Sequence, residues 1–257
     1  MSSCIILDAS YYCFYRYYAI LQWWKFARAD KEIDDNMDEF MLHFHTQFVS
    51  TLQKLSKTLK LSNPTLIIGK DCPRKDIWRT TLYPDYKATR DYGDQPLLRH
   101  AFSCIYSEKW FEEGGFTQTL YHPHLEADDV IALYTKQLPS DTDIHIITSD
   151  TDYLQLLVNN NITIHTLKGK LLSDTKTYDG HPEKYLFCKC LTGDKSDNIP
   201  PAFPKCGIKT AEKCWNEPEF LEKKLKDPKH KAQYTLNKTL ISFDCIPNEH
   251  SVQFLTN

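Results

Sequence analysis

Three short apolar runs that end in aspartate constrain this chain more than any other feature. Cys4–Leu7 stops at Asp8, Pro64–Ile68 passes through Gly69 and Lys70 to Asp71, and Ile144–Thr148 leads to Asp150 and Asp152. Short apolar runs rich in β-branched residues and bounded by polar breakers read as strands buried on both faces. Each such strand would deliver a carboxylate at its C-terminal end.

Helical patterns lie between these runs. From Met37 to Leu59 the positions Met37, Met41, Phe44, Phe48, Leu52, Leu55 and Leu59 recur every three or four residues, which predicts one long amphipathic helix. Glu126 to Leu138 predicts a second helix, closed by Pro139. Strands alternating with helices give an α/β fold: a central, largely parallel sheet flanked by helices. Sites in such sheets lie beyond the carboxyl ends of the strands, where Asp8, Asp71, Asp150 and Asp152 fall. The stretch from 91 to 123 is less regular and reads as an excursion from the core, with Leu97, Leu98, Ala101, Phe102 and Ile105 suggesting a helix. After Pro182 a short helix to Leu191, a Pro-rich turn and a helix near Lys209–Trp215 are expected. The division is a core over 1–180 and a helical region over 181–257.

Nine cysteines, an odd number with no C-x-x-C pair, suit free thiols in a reducing compartment. The N-terminal apolar run is too short for a signal peptide, and no stretch approaches the ~20 apolar residues that span a bilayer. An intracellular, cytoplasmic location away from membranes is expected. The net charge of −3 argues against a nucleic-acid partner until the acids are sorted. With nine of the 34 Asp and Glu assigned to one site, 25 remain against 31 Lys and Arg, so a basic face is still available. The 15 tyrosines are candidates for base stacking as well as for half-buried packing.

Glu126, Asp128 and Asp129 crowd the first turn of their helix. One or two acids there only complement the helix dipole. Three, beside strand-end aspartates, raise one another's pKa and destabilise the fold unless a cation neutralises them. Asp150 and Asp152 straddle one residue, and in an extended stretch both face one ion. Asp194 and Asp197 stand at i, i+3, one helical turn apart. Oxygen-only ligation suits Mg²⁺ or Mn²⁺ over Zn²⁺.

Five segments occur in a fixed order: Asp8-Ala9-Ser10, Tyr83-Pro84-Asp85-Tyr86-Lys87-Ala88-Thr89-Arg90, Glu126-Ala127-Asp128-Asp129, Thr148-Ser149-Asp150-Thr151-Asp152 and Gly193-Asp194-Lys195-Ser196-Asp197-Asn198-Ile199-Pro200. Together they resemble the signature of the flap endonuclease / 5′–3′ exonuclease family. The likeness is to bacteriophage-type 5′ nucleases and the 5′ nuclease domain of bacterial DNA polymerase I, over residues 4–215.

The resemblance implies a PIN-like nuclease core, a helical arch over 87–123 that threads a 5′ single strand, and a C-terminal helix–turn–helix that grips duplex. It implies two Mg²⁺ (or Mn²⁺) ions roughly 4 Å apart. Asp71, Glu126, Asp128, Asp129, Asp150 and Asp152 would surround the first. Asp194 and Asp197 would support the second, and Asp8 would bind directly or through water. Products would carry a 5′-phosphate and a 3′-hydroxyl. Lys87 and Arg90 would sit on one face of the arch's first helix and act on the phosphodiester. Tyr86 would stack on an unpaired base, and Arg79 would contact a phosphate. In Ala202–Ala211, Gly207, Lys209 and Thr210 fit the duplex-gripping element, with a K⁺ ion as its companion.

The implied partners are branched, flapped or nicked DNA and RNA–DNA, for a monomer. Nothing selects a polymerase or sliding-clamp partner, and with no polymerase domain following, a separately acting chain is expected. Two departures stand out. Lys205 replaces the family's first glycine in the turn and could itself contact phosphate. Lys70 replaces an apolar residue, and the Asp71–Arg79 spacing is one residue longer. Trp23, Trp24 and Phe26 read as core aromatics ahead of a stacking surface. The rivals are a non-catalytic junction binder, a PIN-type ribonuclease, and a zinc hydrolase using Cys188, Cys190 and His181.

Overall fold

The computed structural model describes residues 2–90 and 95–256. The strands are β1 (Ser3–Asp8), β2 (Thr65–Gly69), β3 (Gln118–Leu120), β4 (Asp143–Ile147) and β5 (Ile162–His165). All pair in parallel, in the order β3-β2-β1-β4-β5. β1 is central because its side chains are apolar on both faces. Ile5 and Leu7 enter one core cluster while Cys4 and Ile6 enter the other, the period-2 alternation of a strand covered on both sides.

The helices are α1 (Ala9–Ala27), α2 (Met37–Leu52), α3 (Leu55–Thr58), α4 (Trp78–Leu82), α5 (Pro96–Ser107), α6 (Trp110–Glu113) and α7 (Ala127–Thr135), followed by α8 (Pro182–Thr192), α9 (Ile208–Asn216), α10 (Pro218–Leu225), α11 (Pro228–Ile241) and α12 (Asn248–Thr256). One sheet face is covered by α1, α2, α5 and α6 through Tyr12, Trp24, Phe40, Phe44, Phe48, Leu98 and Trp110. Each such side chain contributes about 1.5–3 kcal/mol on burial. α7 covers the other face with Val130 and Ile131, joined by Phe243 and Ile246 from the C-terminal region.

Several expectations change. The predicted helix over Met37–Leu59 breaks between α2 and α3, and its core face runs through Phe40, Phe44, Phe48 and Leu52, with Met41 only partly buried. Much of the expected arch belongs to the core instead: β3 is a strand of the sheet, and Ala101, Ile105, Phe111 and Phe116 are fully buried. The stretch 91–94 lies outside the described residues. The helical C-terminal region returns to the core through Phe243 and Ile246. Trp24 is a core residue, Trp23 stacks on His43 at 3.8 Å between ring centroids, and Phe26 is exposed. Among the described residues no helix is long and apolar enough to cross a membrane.

Register places the site. Asp8 pairs with Gly69 and Leu7 with Ile147, so β1, β2 and β4 end level. The chain leaves β1 for β2 and β3 on one side, then crosses to β4 on the other. That reversal opens a crevice beyond the carboxyl ends of the central strands.

Candidate active site

Five acids line this crevice: Asp8, Asp71, Glu126, Asp128 and Asp150. With Lys87, Arg90, Tyr11 and Phe14 they enclose a cleft of about 480 Å³. Asp8 ends β1 and caps α1, accepting from the Tyr11 N–H at 3.0 Å and from Thr148 Oγ1 at 3.2 Å. Burial and then the neighbouring Asp71 push its carboxyl up to about 7. Asp71 accepts from Ser10 Oγ and from the Ala127 N–H at 2.7 Å. That reach needs α7 close against β2, and Gly69 permits it: a Cβ there would lie 2.5 Å from Ile131 Cγ1. Burial raises Asp71 as well, and burial with the adjacent Asp129 raises Asp128. The acids that converge here offer carboxylate oxygens, a donor set that suits hard divalent cations.

Asp128 and Asp129 are neighbours on α7 with opposite fates. Asp129 is 0% exposed and accepts from Trp78 Nε1 (2.9 Å), Arg79 Nη1 (2.7 Å), Arg79 Nη2 (2.7 Å) and the Glu126 N–H (3.2 Å). One of its oxygens lies within 4.8 Å of one oxygen each from Glu126 and Asp128, but four donors occupy its carboxylate. Expected as a metal ligand, Asp129 is bound in this structure by Trp78, Arg79 and the Glu126 N–H. Arg79, expected on a phosphate, is 2% exposed and spends its remaining donors on Glu126 (2.9 Å) and the Leu240 carbonyl (2.7 Å). Tyr86, expected to stack on a base, is 4% exposed, and its hydroxyl donates to Glu126 (3.0 Å) and Asp197 (3.1 Å).

Lys87 and Arg90 reach the cleft as expected, but from a turn and not a helix. Lys87 is left-handed, with φ 55°. Arg74, which sequence reasoning missed, holds this turn by donating to the carbonyls of Lys87 and Arg90. The Lys87 ammonium contacts Glu126, and Arg90 contacts Asp197. Burial tends to raise Glu126, yet Lys87 and Arg79 together hold it below its ordinary value.

A second group consists of Asp152, Asp194 and Asp197, with one oxygen from each within 4.8 Å of the others. Asp152 therefore sides with the outer pair and not with the inner acids. Asp150 caps a 3₁₀ helix over Thr151–Val158 and accepts from the Asp152 N–H at 2.9 Å, so the two are not on an extended stretch. Asp194 and Asp197 sit on a turn closed by an antiparallel bridge between Asp194 and Ile199, not on a helix. Lys189 of α8 contacts both Asp152 and Asp194, the latter at 2.9 Å. Burial opposes ionisation of Asp194, but Lys189 and the hydroxyl and N–H of Ser196 together outweigh it and bring the carboxyl down to about 2. Nothing in the sequence marked Lys189 as a site residue.

α8 and α9 pack on each other through Cys188, Leu191, Ala211 and Cys214, and the connecting loop adds Ala202, Phe203 and Cys206 to that cluster. Lys205, Gly207 and Lys209 are exposed and Thr210 half-buried. Lys205 has φ 61°, the left-handed conformation that favours the glycine it replaces. Gly207 caps α9 with no neighbour within 4 Å of a Cβ, so the helix N-terminus faces open space. Lys70, the other departure, lies 4.2 Å from the Tyr106 ring centroid in a cation–π contact. The zinc reading fails on geometry, because Cys188 and Cys190 face different core clusters.

The family model for the 5′–3′ exonuclease N-terminal, resolvase-like domain matches residues 3–185. A 5′–3′ exonuclease of Buchnera aphidicola from Schizaphis graminum is 32% identical over 150 residues, covering 57% of this chain and 50% of that protein. The chain thus spans half the length of that relative. Among solved structures, the bacteriophage T5 protein co-crystallised with metal ions superposes with a TM-score of 0.69 at 18% identity, over 99% of this chain and 97% of that one. The bacteriophage T5 flap endonuclease in complex with DNA and metal ions gives 0.66 at 17% identity, over 99% and 97%. The fold is shared with both. The chain belongs to the 5′–3′ exonuclease family.

Proposed function

We propose that this chain is a divalent-metal-dependent, structure-specific 5′ nuclease, acting as flap endonuclease and 5′–3′ exonuclease on branched or nicked DNA and on RNA primers, in replication or repair. The observation that carries the reading is the convergence of five carboxylates from four separate segments in one cleft, with Lys87 and Arg90 beside them. Like charges gathered under burial are costly unless a bound cation offsets them.

Asp8, Asp71, Glu126, Asp128 and Asp150 would hold an inner Mg²⁺ or Mn²⁺ ion, and Asp152, Asp194 and Asp197 an outer one. Bound there, the ions would supply charge neutralisation and an activated water for phosphodiester hydrolysis. Lys87 and Arg90 would turn from their acids to the scissile phosphate, orienting it and stabilising its developing charge. Tyr11 and Phe14, in the cleft wall, offer ring faces to a base beside the cut. Lys205, Lys209, Thr210 and the open amides behind Gly207 would grip the duplex backbone, with a K⁺ ion at this loop. A monomer in an intracellular setting fits nine free thiols.

The test is a product map on 5′-labelled flapped, nicked and RNA-primed duplexes with Mg²⁺ or with EDTA. The expected result is Mg²⁺-dependent cutting near the junction, leaving a 3′-hydroxyl and a 5′-phosphate. Binding to flapped duplex without cutting in Mg²⁺ or Mn²⁺ would establish a junction-binding protein instead.

A further inference from the structure

Lys189 is carried into this site by α8. Its side chain is 12% exposed, and its ammonium lies between Asp152 and Asp194, 2.9 Å from the latter. These acids, with Asp197, are the outer group whose oxygens lie within 4.8 Å of one another. An ammonium and a divalent ion cannot share that space. Lys189 also lines a neighbouring cavity of about 620 Å³ whose wall includes Tyr185, Asp179 and Glu212. A flexible four-carbon stem can swing its head there, toward Glu212, since Asp179 already holds Lys184 at 2.6 Å.

We propose that Lys189 is the resident counter-ion of the outer acids, holding Asp152 and Asp194 together until a divalent ion displaces it into this cavity. The inference rests on the two-ion reading given above. Its consequence is that the outer ion binds more weakly than the inner one, because it must first break the lysine's contacts. Lys189 is thus a positioning residue that sets the ion concentration at which the site becomes complete.

The test compares wild type, Lys189→Met and Lys189→Arg by calorimetric titration with Ca²⁺ and by thermal melting in EDTA and in saturating Ca²⁺, without DNA. Wild type should bind one tight and one weak Ca²⁺. Lys189→Met should tighten the weak site about ten-fold, the scale of one charge-assisted contact no longer surrendered. It should also melt below wild type in EDTA and converge with it in Ca²⁺, while Lys189→Arg keeps the wild-type pattern. If Lys189→Met fails to fold in EDTA, Lys189→Gln is read in the same way. A weak site left unchanged or weakened, or a melting gap equal in EDTA and Ca²⁺, would overturn the proposal. Absence of any Ca²⁺ binding by wild type would overturn the two-ion reading itself, and this inference with it.

Discussion

Asp8, Asp71 and Asp128 sit largely among hydroxyls, backbone N–H groups and one another, whereas Asp152, Asp194 and Asp197 lie against ammonium and guanidinium groups. The two groups share residue type and neighbourhood but not charge balance. Burial lifts Asp8 (to about 7), Asp71, Asp128 and Asp150, with Glu126 the exception among the inner acids, while Lys189 and Ser196 together bring Asp194 down to about 2. Carboxylates stabilised only by neutral donors are poised for a cation. Carboxylates already paired must exchange one cation for another.

The largest expected effect lies in the inner group. Asp128→Asn should lower cleavage of a flapped duplex in Mg²⁺ by about 10³-fold or more. The same variant should melt no lower than wild type in EDTA, since it removes a crowded charge, whereas Asp194→Asn should melt lower because it strips Lys189 of a partner. Cleavage within ten-fold of wild type, or the opposite order of melting, would erase the distinction between the groups. Arg79→Met should cost about 3–5 kcal/mol in urea unfolding, because Asp129 is left buried and unpaired. A change below about 1 kcal/mol would show that the anchor is dispensable. Lys87→Ala should reduce turnover by about 10²-fold with far less effect on affinity for DNA measured in Ca²⁺. A pure affinity defect would place Lys87 outside the chemistry.

The smallest effect is a slope with pH. A carboxyl raised in the folded state binds protons that the unfolded chain releases. Its contribution is therefore full below the unfolded value near 3.8 and is lost as pH rises through about 7, the range that Asp8 defines. Asp194 works in the opposite sense, but its contribution is lost only as pH falls toward about 2. Thermal melting in EDTA should accordingly decline from pH 5 to pH 8, and saturating Ca²⁺ should flatten the decline. A melting temperature that rises with pH in EDTA would contradict the pattern.

Sequence reasoning brought Asp8, Asp71 and Asp150 to one edge of the sheet because short apolar runs reveal strand ends. It could not see which acids were already satisfied. Asp128 and Asp129 are adjacent and identical in type, and only the packing of Trp78 and Arg79 separates a cleft-lining group from an anchor. Nor could sequence reasoning see that Tyr86 and Arg79 are turned to the protein's own carboxylates. α1 was missed because its run of aromatics, Tyr11, Tyr12, Phe14, Tyr15, Tyr17 and Tyr18, obscures the 3.6-residue period. β3 and β5 are too short to carry a pattern, and β3 lay within the segment expected to leave the core. Lys189 gained its place only when α8 packed beside the 3₁₀ helix that carries Asp152.

The contrast between inner and outer acids is tested most directly by locating Mn²⁺ through anomalous scattering in crystals soaked at increasing concentration. At low Mn²⁺ a single ion should lie among Asp8, Asp71, Glu126, Asp128 and Asp150. A second should follow at higher concentration among Asp152, Asp194 and Asp197, with Lys189 withdrawn and Asp129 still bound to Arg79. An ion that fills the outer acids first with Lys189 still between them, or one coordinated by Asp129, would contradict the account.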